Sequence, residues 1–148
     1  MILVMLDRLL KSARIEPECG IEWNNGEPVS LQMIREAVNN GAKEASEAFG
    51  DQWKYLVKED RNNDYHIARI TYFINHPEDI NGIEVDNGIW RDRYSHWIFP
   101  NAKILDGHHR LMAAAYLKLK KVEIKYCGRI DVLDYLTGKT DVEPTDII

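Results

Sequence analysis

The sequence predicts an α/β (α+β) fold: a small mixed sheet with flanking helices and a helical N-terminal extension. Three observations carry this. Residues 83–86 and 122–126 alternate apolar and polar side chains, the period of a half-buried strand. Between them, a short apolar run at 103–105 leads into the alanine-rich stretch 110–118, which reads as a helix. Residues 1–62 lack a comparable run of strands and read as mostly helical pieces punctuated by Gly, Pro and Asn. The chain has 148 residues, 45% of them hydrophobic, which suits one domain with a buried core. No internal repeat or low-complexity linker divides it, so 1–148 reads as a single domain. Within it, 1–62 is the helical N-terminal region, 63–130 the core, and 131–148 a C-terminal turn with a loose acidic tail.

The elements follow in order. Residues 1–14 predict a short helix whose apolar residues are too dense for free exposure, so part of it packs on the core. Glu16 to Gly20 breaks that pattern, Ile21–Trp23 predicts a short strand, and Asn24-Asn25-Gly26 a turn. Ser30 has the oxygen to cap a helix beginning at Leu31. Leu31, Ile34, Val38 and Ala42 recur on one face of that helix; Gly41 weakens or ends it, 42–49 reads as its continuation, and Gly50 as a stop. Asp51 is the cap of a further helical piece through Val57. Residues 61–64 form a loop with Asp64 as the next cap. Ile67, Ile70, Thr71 and Ile74 then line a helix that must finish near Pro77. Ile83–Asp86 is a strand, 88–100 an aromatic and charged loop, and Lys103–Leu105 a short buried strand. A helix over 110–118, a strand over 122–126 and a last helical turn or two over 131–136 complete the chain. Strand, helix and strand in succession imply roughly parallel strands.

Charge and cysteine content narrow the function classes. A net charge of -5 argues against binding duplex DNA through bulk electrostatics. Residues 103–129 nevertheless hold seven basic and two acidic residues, a net of +5, which leaves -10 for the rest of the chain. That asymmetry suits a nucleotide or nucleic-acid face; the plainer account is a solvated helix end, since Lys118, Lys120 and Lys121 favour a helix C-terminus. Cys19 and Cys127 are far apart and form no zinc spacing, which points to a reduced, cytoplasmic setting. The apolar start, Met1 to Leu6, is interrupted by Asp7 and Arg8 and lacks the features of a signal peptide. No apolar stretch approaches the roughly 20 residues that cross a bilayer, so no membrane partner is expected.

Most of the chemistry gathers at Asp106-Gly107-His108-His109-Arg110. A helix start leaves backbone N–H groups unpaired at its electropositive end, which suits an anion. Gly107 permits a tight turn and a close backbone approach. Arg110 adds a fork of donors that matches phosphate oxygens, and His108 and His109 add donors that switch near neutral pH. Asp106, at the carboxyl end of a strand, suits Mg²⁺ or a proton-abstracting role. Taken singly, Asp106 is a helix cap, Gly107 a turn residue and Arg110 a surface partner for Glu123. Five such residues at one strand-to-helix turn favour a phosphate site. Two adjacent histidines are a weak metal pair, because ligands on a helix usually sit at i and i+4.

The string Ile104 to Leu111, followed by Ala113-Ala114 and a strand, resembles the ParB/sulfiredoxin-like superfamily. Its DGHHR form is similar to that of the free serine kinases and of small stand-alone ParB-like proteins, many carried by phages. The helix 64–75, the turn 78–82 and the strand 83–86 are similar to the family's upstream pieces, so the resemblance covers about 64–128. It implies a small mixed sheet, an NTP (ATP or CTP) with Mg²⁺ as cofactor, and phosphoryl transfer or NTP hydrolysis. It implies phosphate contacts by Gly107, His108, His109 and Arg110, catalytic roles for Asp106, His108 and His109, and metal binding by Asp106. Sulfiredoxins carry a cysteine where His108 stands, which argues against sulfinic acid reduction. Residues 129–148 are too few for the helix-turn-helix of chromosome-partitioning members. The resemblance does not place the serine kinases' upstream glutamate base, for which Glu22, Glu27, Glu78 and Glu84 are the candidates. A ParB-like nuclease or DNA-associated phage protein is the alternative, and a non-catalytic partner of a host or phage protein the third.

Two further features are secondary. Residues 89–97 interleave aromatic and basic side chains and read as a lid or packed surface loop, with base stacking as the lesser alternative. His66, His76 and His96 lack partners at ligand spacing and read as capping or surface residues, and Cys127 as a small buried residue.

Overall fold

The computed structural model describes residues 1–23, 27–45, 62–88 and 99–146. In chain order the elements are β1 (Ile2–Met5), α1 (Leu6–Ser12), α2 (Leu31–Asn39), α3 (Asn63–Asn75), a 3₁₀ turn (Pro77–Asp79), β2 (Ile83–Asp86), β3 (Lys103–Asp106), α4 (His108–Tyr116), β4 (Lys121–Cys127) and α5 (Ile130–Thr137). The mixed α/β class expected from the sequence is present. The chain forms two compact units that interleave in sequence. A sheet unit comprises Met1–Ile15, Asn81–His108 and Leu119–Ile148; a helical unit comprises Glu16–Ile80 and His109–Lys118. No helix among the described residues is long and apolar enough to cross a membrane.

The sheet unit is built on β4. Its strand order is β1-β4-β2-β3, with β4 antiparallel to β1 and parallel to β2. Ile124 lies between Ile2 and Ile83 in register, and Val122 opposite Val4. Val4, Ile83, Val85, Val122 and Ile124 are buried, whereas Lys121, Glu123 and Lys125 alternate with them and are exposed. One face of the sheet is therefore core and the other is water-facing, as the two-residue period requires. Leu6 and Leu9 of α1 and Val132, Tyr135 and Leu136 of α5 complete this unit's apolar interior. At the carboxyl ends of β2 and β4, buried Asn87 donates to the Phe99 carbonyl at 3.0 Å and accepts from the Arg129 N–H at 3.1 Å. Gly128 makes this possible: a Cβ there would stand 1.8 Å from Asn87 Oδ1.

Four expectations are corrected here. Residues 1–14 are not one helix: Ile2–Met5 pairs with β4, and the helix begins only at Leu6. The density of apolar residues that excluded an exposed helix comes from this strand. Second, β3 is not a buried strand. It is the edge of the sheet, with Leu105 and Asp106 exposed. Third, the strands flanking α4 are not parallel neighbours. β3 runs antiparallel to β2, which is parallel to β4, so β3 and β4 run in opposite directions. Fourth, the tail is held: Arg8 Nη1 donates to the Tyr135 and Thr140 carbonyls, and Arg129 Nη2 to the Thr145 carbonyl at 2.8 Å.

In the helical unit, Ser30 caps α2 as expected, its Oγ accepting from the Met33 N–H at 3.3 Å. The cap of α3 is Asn62 rather than Asp64: its side chain accepts from the Tyr65 N–H at 3.1 Å, which starts the helix one residue before Asp64. α3 ends at Asn75 because Pro77 follows closely. Its buried face carries Tyr65, His66, Ala68, Ile70, Thr71 and Phe73, with the Thr71 hydroxyl satisfied by the Ile67 carbonyl at 2.8 Å. Ile21–Trp23 contributes only a single bridge, Ile21 to Val29. The helical piece expected over 51–57 and most of the aromatic loop, 89–98, lie outside the described residues, as does the Asn24–Gly26 turn.

Truncating the central strand tests this architecture. Ile124→Ala should cost about 2–5 kcal/mol in denaturant unfolding, because it empties a fully buried position between two strands. Lys121→Ala, on the exposed face, should stay within about 0.5 kcal/mol.

Candidate functional site

The turn singled out in the sequence begins on the sheet unit. Asp106 ends β3 and faces Glu84 of β2 in register. Both carboxylates are exposed, and Glu84 also pairs with Lys125 on its other side. Because β3 runs against β2, the carboxyl end of β3 lies at the amino end of β2. The rule that places sites at the carboxyl ends of parallel strands does not apply to Asp106. Gly107 has φ +105°, and a Cβ on it would lie 3.2 Å from Ile83 Cγ1 and 3.3 Å from its Cα. The conformation demands glycine, and the space beside Ile83 is tight for a side chain. It also leaves α4 with no side chain directly before its first residue, whereas α2 and α3 are covered by Ser30 and Asn62. His108 opens α4 half-buried; burial pushes its imidazole below the ordinary histidine value, while the Asp106 charge pulls the other way.

In the helical unit the turn continues with Arg110. Its Nε donates to the Asp79 carbonyl at 3.2 Å, and its Cζ lies 4.8 Å above the Phe73 ring centroid. These contacts fix the guanidinium at its base. The terminal Nη1 and Nη2 form no hydrogen bond with a described residue. The fork is thus held in place without its two outer donors being used.

His109 is engaged differently. Its Nε2 lies 2.9 Å from Nδ1 of His66, which sits on the buried face of α3. The imidazole centroids are 5.2 Å apart and the planes differ by 18°. That separation is the hydrogen bond plus two ring radii, so the rings meet edge to edge in nearly one plane. Trp23 lies over both, with centroids 4.3 Å from His66 and 4.9 Å from His109 and planes within 13° and 6°. Tyr65 meets both edge-on. His66 is 4% exposed, which corrects its reading as a capping or surface residue. Its signal was present in the sequence: His66, Ile70 and Phe73 follow the i, i+4, i+7 spacing of a buried helical face. Trp23 and the Asp79 carbonyl carried no such signal.

Among the other candidates, His76 does sit at the C-terminus of α3, as a capping role requires. Its Nε2 is 3.2 Å from Glu44, and its Nδ1 is 3.5 Å from Glu78. The hydrogen bond to Glu44, with Glu78 assisting, raises its imidazole above the ordinary value. Glu22 and Glu27 are exposed, and of the four glutamates Glu84 is the one in register with Asp106. Cys127 is exposed rather than buried, because it ends β4 on the outward phase of the alternation. Among the described residues no group of three His, Cys, Asp or Glu side chains is placed to hold a metal by protein ligands alone. Mg²⁺ needs only one or two carboxylates beside phosphate oxygens and water, and the Asp106–Glu84 pair is a donor set of that kind.

The two shifted histidines give opposite pH dependences. His108, lowered in the folded state, contributes stability at neutral pH that is lost as pH falls below the ordinary histidine value. His76, raised, contributes stability in acid that is lost as pH rises through its folded value. An NMR titration of the histidine ring protons should place the His76 midpoint above the ordinary value near 6.5 and that of His108 below it; the reverse order would contradict these environments. No family model matches the chain, and neither a curated protein nor a solved structure matches it.

Proposed function

We propose that the Gly107–Arg110 turn binds the phosphates of a nucleoside triphosphate and that the protein transfers or hydrolyses a phosphoryl group with Mg²⁺. The observation that carries this reading is Arg110: anchored through Nε and Phe73, it keeps both terminal nitrogens for an outside anion. A guanidinium already immobilised loses little side-chain entropy on binding, and its paired donors match phosphate oxygens. The first-turn amides of α4, preceded by a glycine, add donors at the electropositive helix end. His108, kept neutral by burial, offers one ring N–H and one lone pair, which suits contact with phosphate oxygen or bound water.

Asp106 and Glu84 are the residues that would hold Mg²⁺, which supplies charge neutralisation on the phosphates when bound. The phosphoryl reaction asks little covalent chemistry of the protein; positioning and charge stabilisation by Arg110 and the amides are its main contributions. The resemblance of the DGHHR turn to the ParB/sulfiredoxin-like superfamily supports the same reading. The exposed Lys118, Lys120, Lys121 and Lys125 support the alternative, in which the turn grips a nucleic-acid backbone.

Thermal shift distinguishes these readings. ATP or CTP with Mg²⁺, at about one hundred times its dissociation constant, should stabilise the protein by about 2.7 kcal/mol. Arg110→Ala should abolish that gain. Stabilisation by oligonucleotides alone would favour the nuclease or DNA-associated reading. No response to either would leave a non-catalytic interaction protein.

A further inference from the structure

The acidic segment that follows α5 in the sheet unit is held mainly by cationic side chains. Arg8 Nη1 donates to the Thr140 carbonyl at 2.6 Å, and its Nη2 pairs with Asp141. Lys11 pairs with Glu143, whose Oε1 also accepts from the Tyr135 hydroxyl at 3.4 Å. Arg8 and Lys11 stand at i and i+3 on α1, so their side chains share one face of that helix. Asp141 and Glu143 both reach that face, while Val142 between them is 73% exposed. Local restraints set this spacing: Thr140 Oγ1 accepts from the Val142 N–H at 3.2 Å, and Pro144 restricts the backbone of Glu143.

The two sides of this contact depend on it unequally. Arg8 is also positioned by α5: its Nη1 donates to the Tyr135 carbonyl at 2.9 Å, and its Cζ lies 4.8 Å above the Tyr135 ring centroid. Its side chain is only 18% exposed. The segment has no such second support from apolar burial, since Val142 faces water and the Asp141 side chain is 89% exposed. Exposed ion pairs each contribute little, so the segment leaves α1 at low cost. What it leaves is an oriented guanidinium with donors to fill and a lysine one turn away. We propose that Arg8 and Lys11 form a docking site for an acidic segment of a partner protein, one with carboxylates two residues apart, and that residues 140–143 occupy it as the chain's own competing ligand. The site takes a carbonyl and a carboxylate on the Arg8 fork and a second carboxylate on Lys11. A tethered competitor has an effective concentration on the order of mM. A partner segment therefore displaces it by bringing further contacts, or binds once the chain's own carboxylates are neutralised.

The test needs no nucleotide, so its outcome is separate from that of the phosphate reading. The probe is a peptide of residues 138–146, added to the ¹⁵N-labelled full chain while the Arg8 and Lys11 signals are followed by NMR. Asp141→Ala/Glu143→Ala changes two exposed residues and frees the site. This variant should bind the peptide with saturable shifts at Arg8 and Lys11. It should bind about tenfold more tightly than the unaltered chain, the ratio for a segment seated on α1 about nine-tenths of the time. Adding Lys11→Glu should abolish binding, and a peptide carrying Glu143→Lys should restore it. A peptide of the same composition with its Asp and Glu adjacent should bind several-fold more weakly. Absence of a saturable shift in the double variant, equal affinity for variant and unaltered chain, or equal binding of the rearranged peptide would overturn the docking site.

Discussion

The turn at Gly107 holds a backbone conformation that favours glycine and leaves little room for a side chain. With φ at +105° and Ile83 atoms 3.2–3.3 Å from where a Cβ would stand, the strand can hand over to α4 within one residue only because that residue is glycine. Everything chemical in the neighbourhood inherits its place from this constraint. Asp106 is left as the last residue of an edge strand, exposed and opposite Glu84. His108 becomes the first residue of the helix, and His109 and Arg110 occupy its first turn. Spacing the turn by one more residue would rotate each of these side chains by about 100° around the helix axis, because a turn holds about 3.6 residues.

The polar groups that follow are fixed by different means, and the difference separates their capabilities. Arg110 is held by a carbonyl and a phenyl face that use its base and spare its outer nitrogens. His109 is held through a ring nitrogen by another histidine. A guanidinium anchored in this way is a permanent, positioned charge. An imidazole nitrogen facing another at this distance shares one hydrogen with it, so only one of the two facing nitrogens carries it. Of the two, the fixed cation is the one suited to stabilising charge on a phosphoryl group.

The sequence made the turn readable because its cues are local. A glycine, an acid before it and a basic fork after it lie within five residues, and Ser30 is adjacent to the helix it caps. The apolar alternation around Ile83–Val85 and Val122–Ile124 likewise belongs to each strand alone. What stayed hidden depends on pairing across the chain. Ile2–Met5 is a strand only because β4 offers it an edge, and its apolar run merges without a break into Leu6–Leu10. The direction of β3 is set by its pairing with β2, which no pattern within Lys103–Asp106 reveals. His66 reads as a polar residue on a helix until Trp23 and His109, 43 residues on each side of it, close over it.

The account stands on Arg110 and the α4 amides meeting a phosphate. The most direct measurement follows the backbone amides of residues 107–110 and the Arg110 side-chain nitrogens by NMR as Mg²⁺ and ATP or CTP are added. The prediction is that these signals move first and furthest, and that rotation of the Arg110 guanidinium slows as its outer nitrogens become bound. If the nucleotide leaves these resonances in place, or perturbs only amides elsewhere in the chain, the phosphate cradle is contradicted.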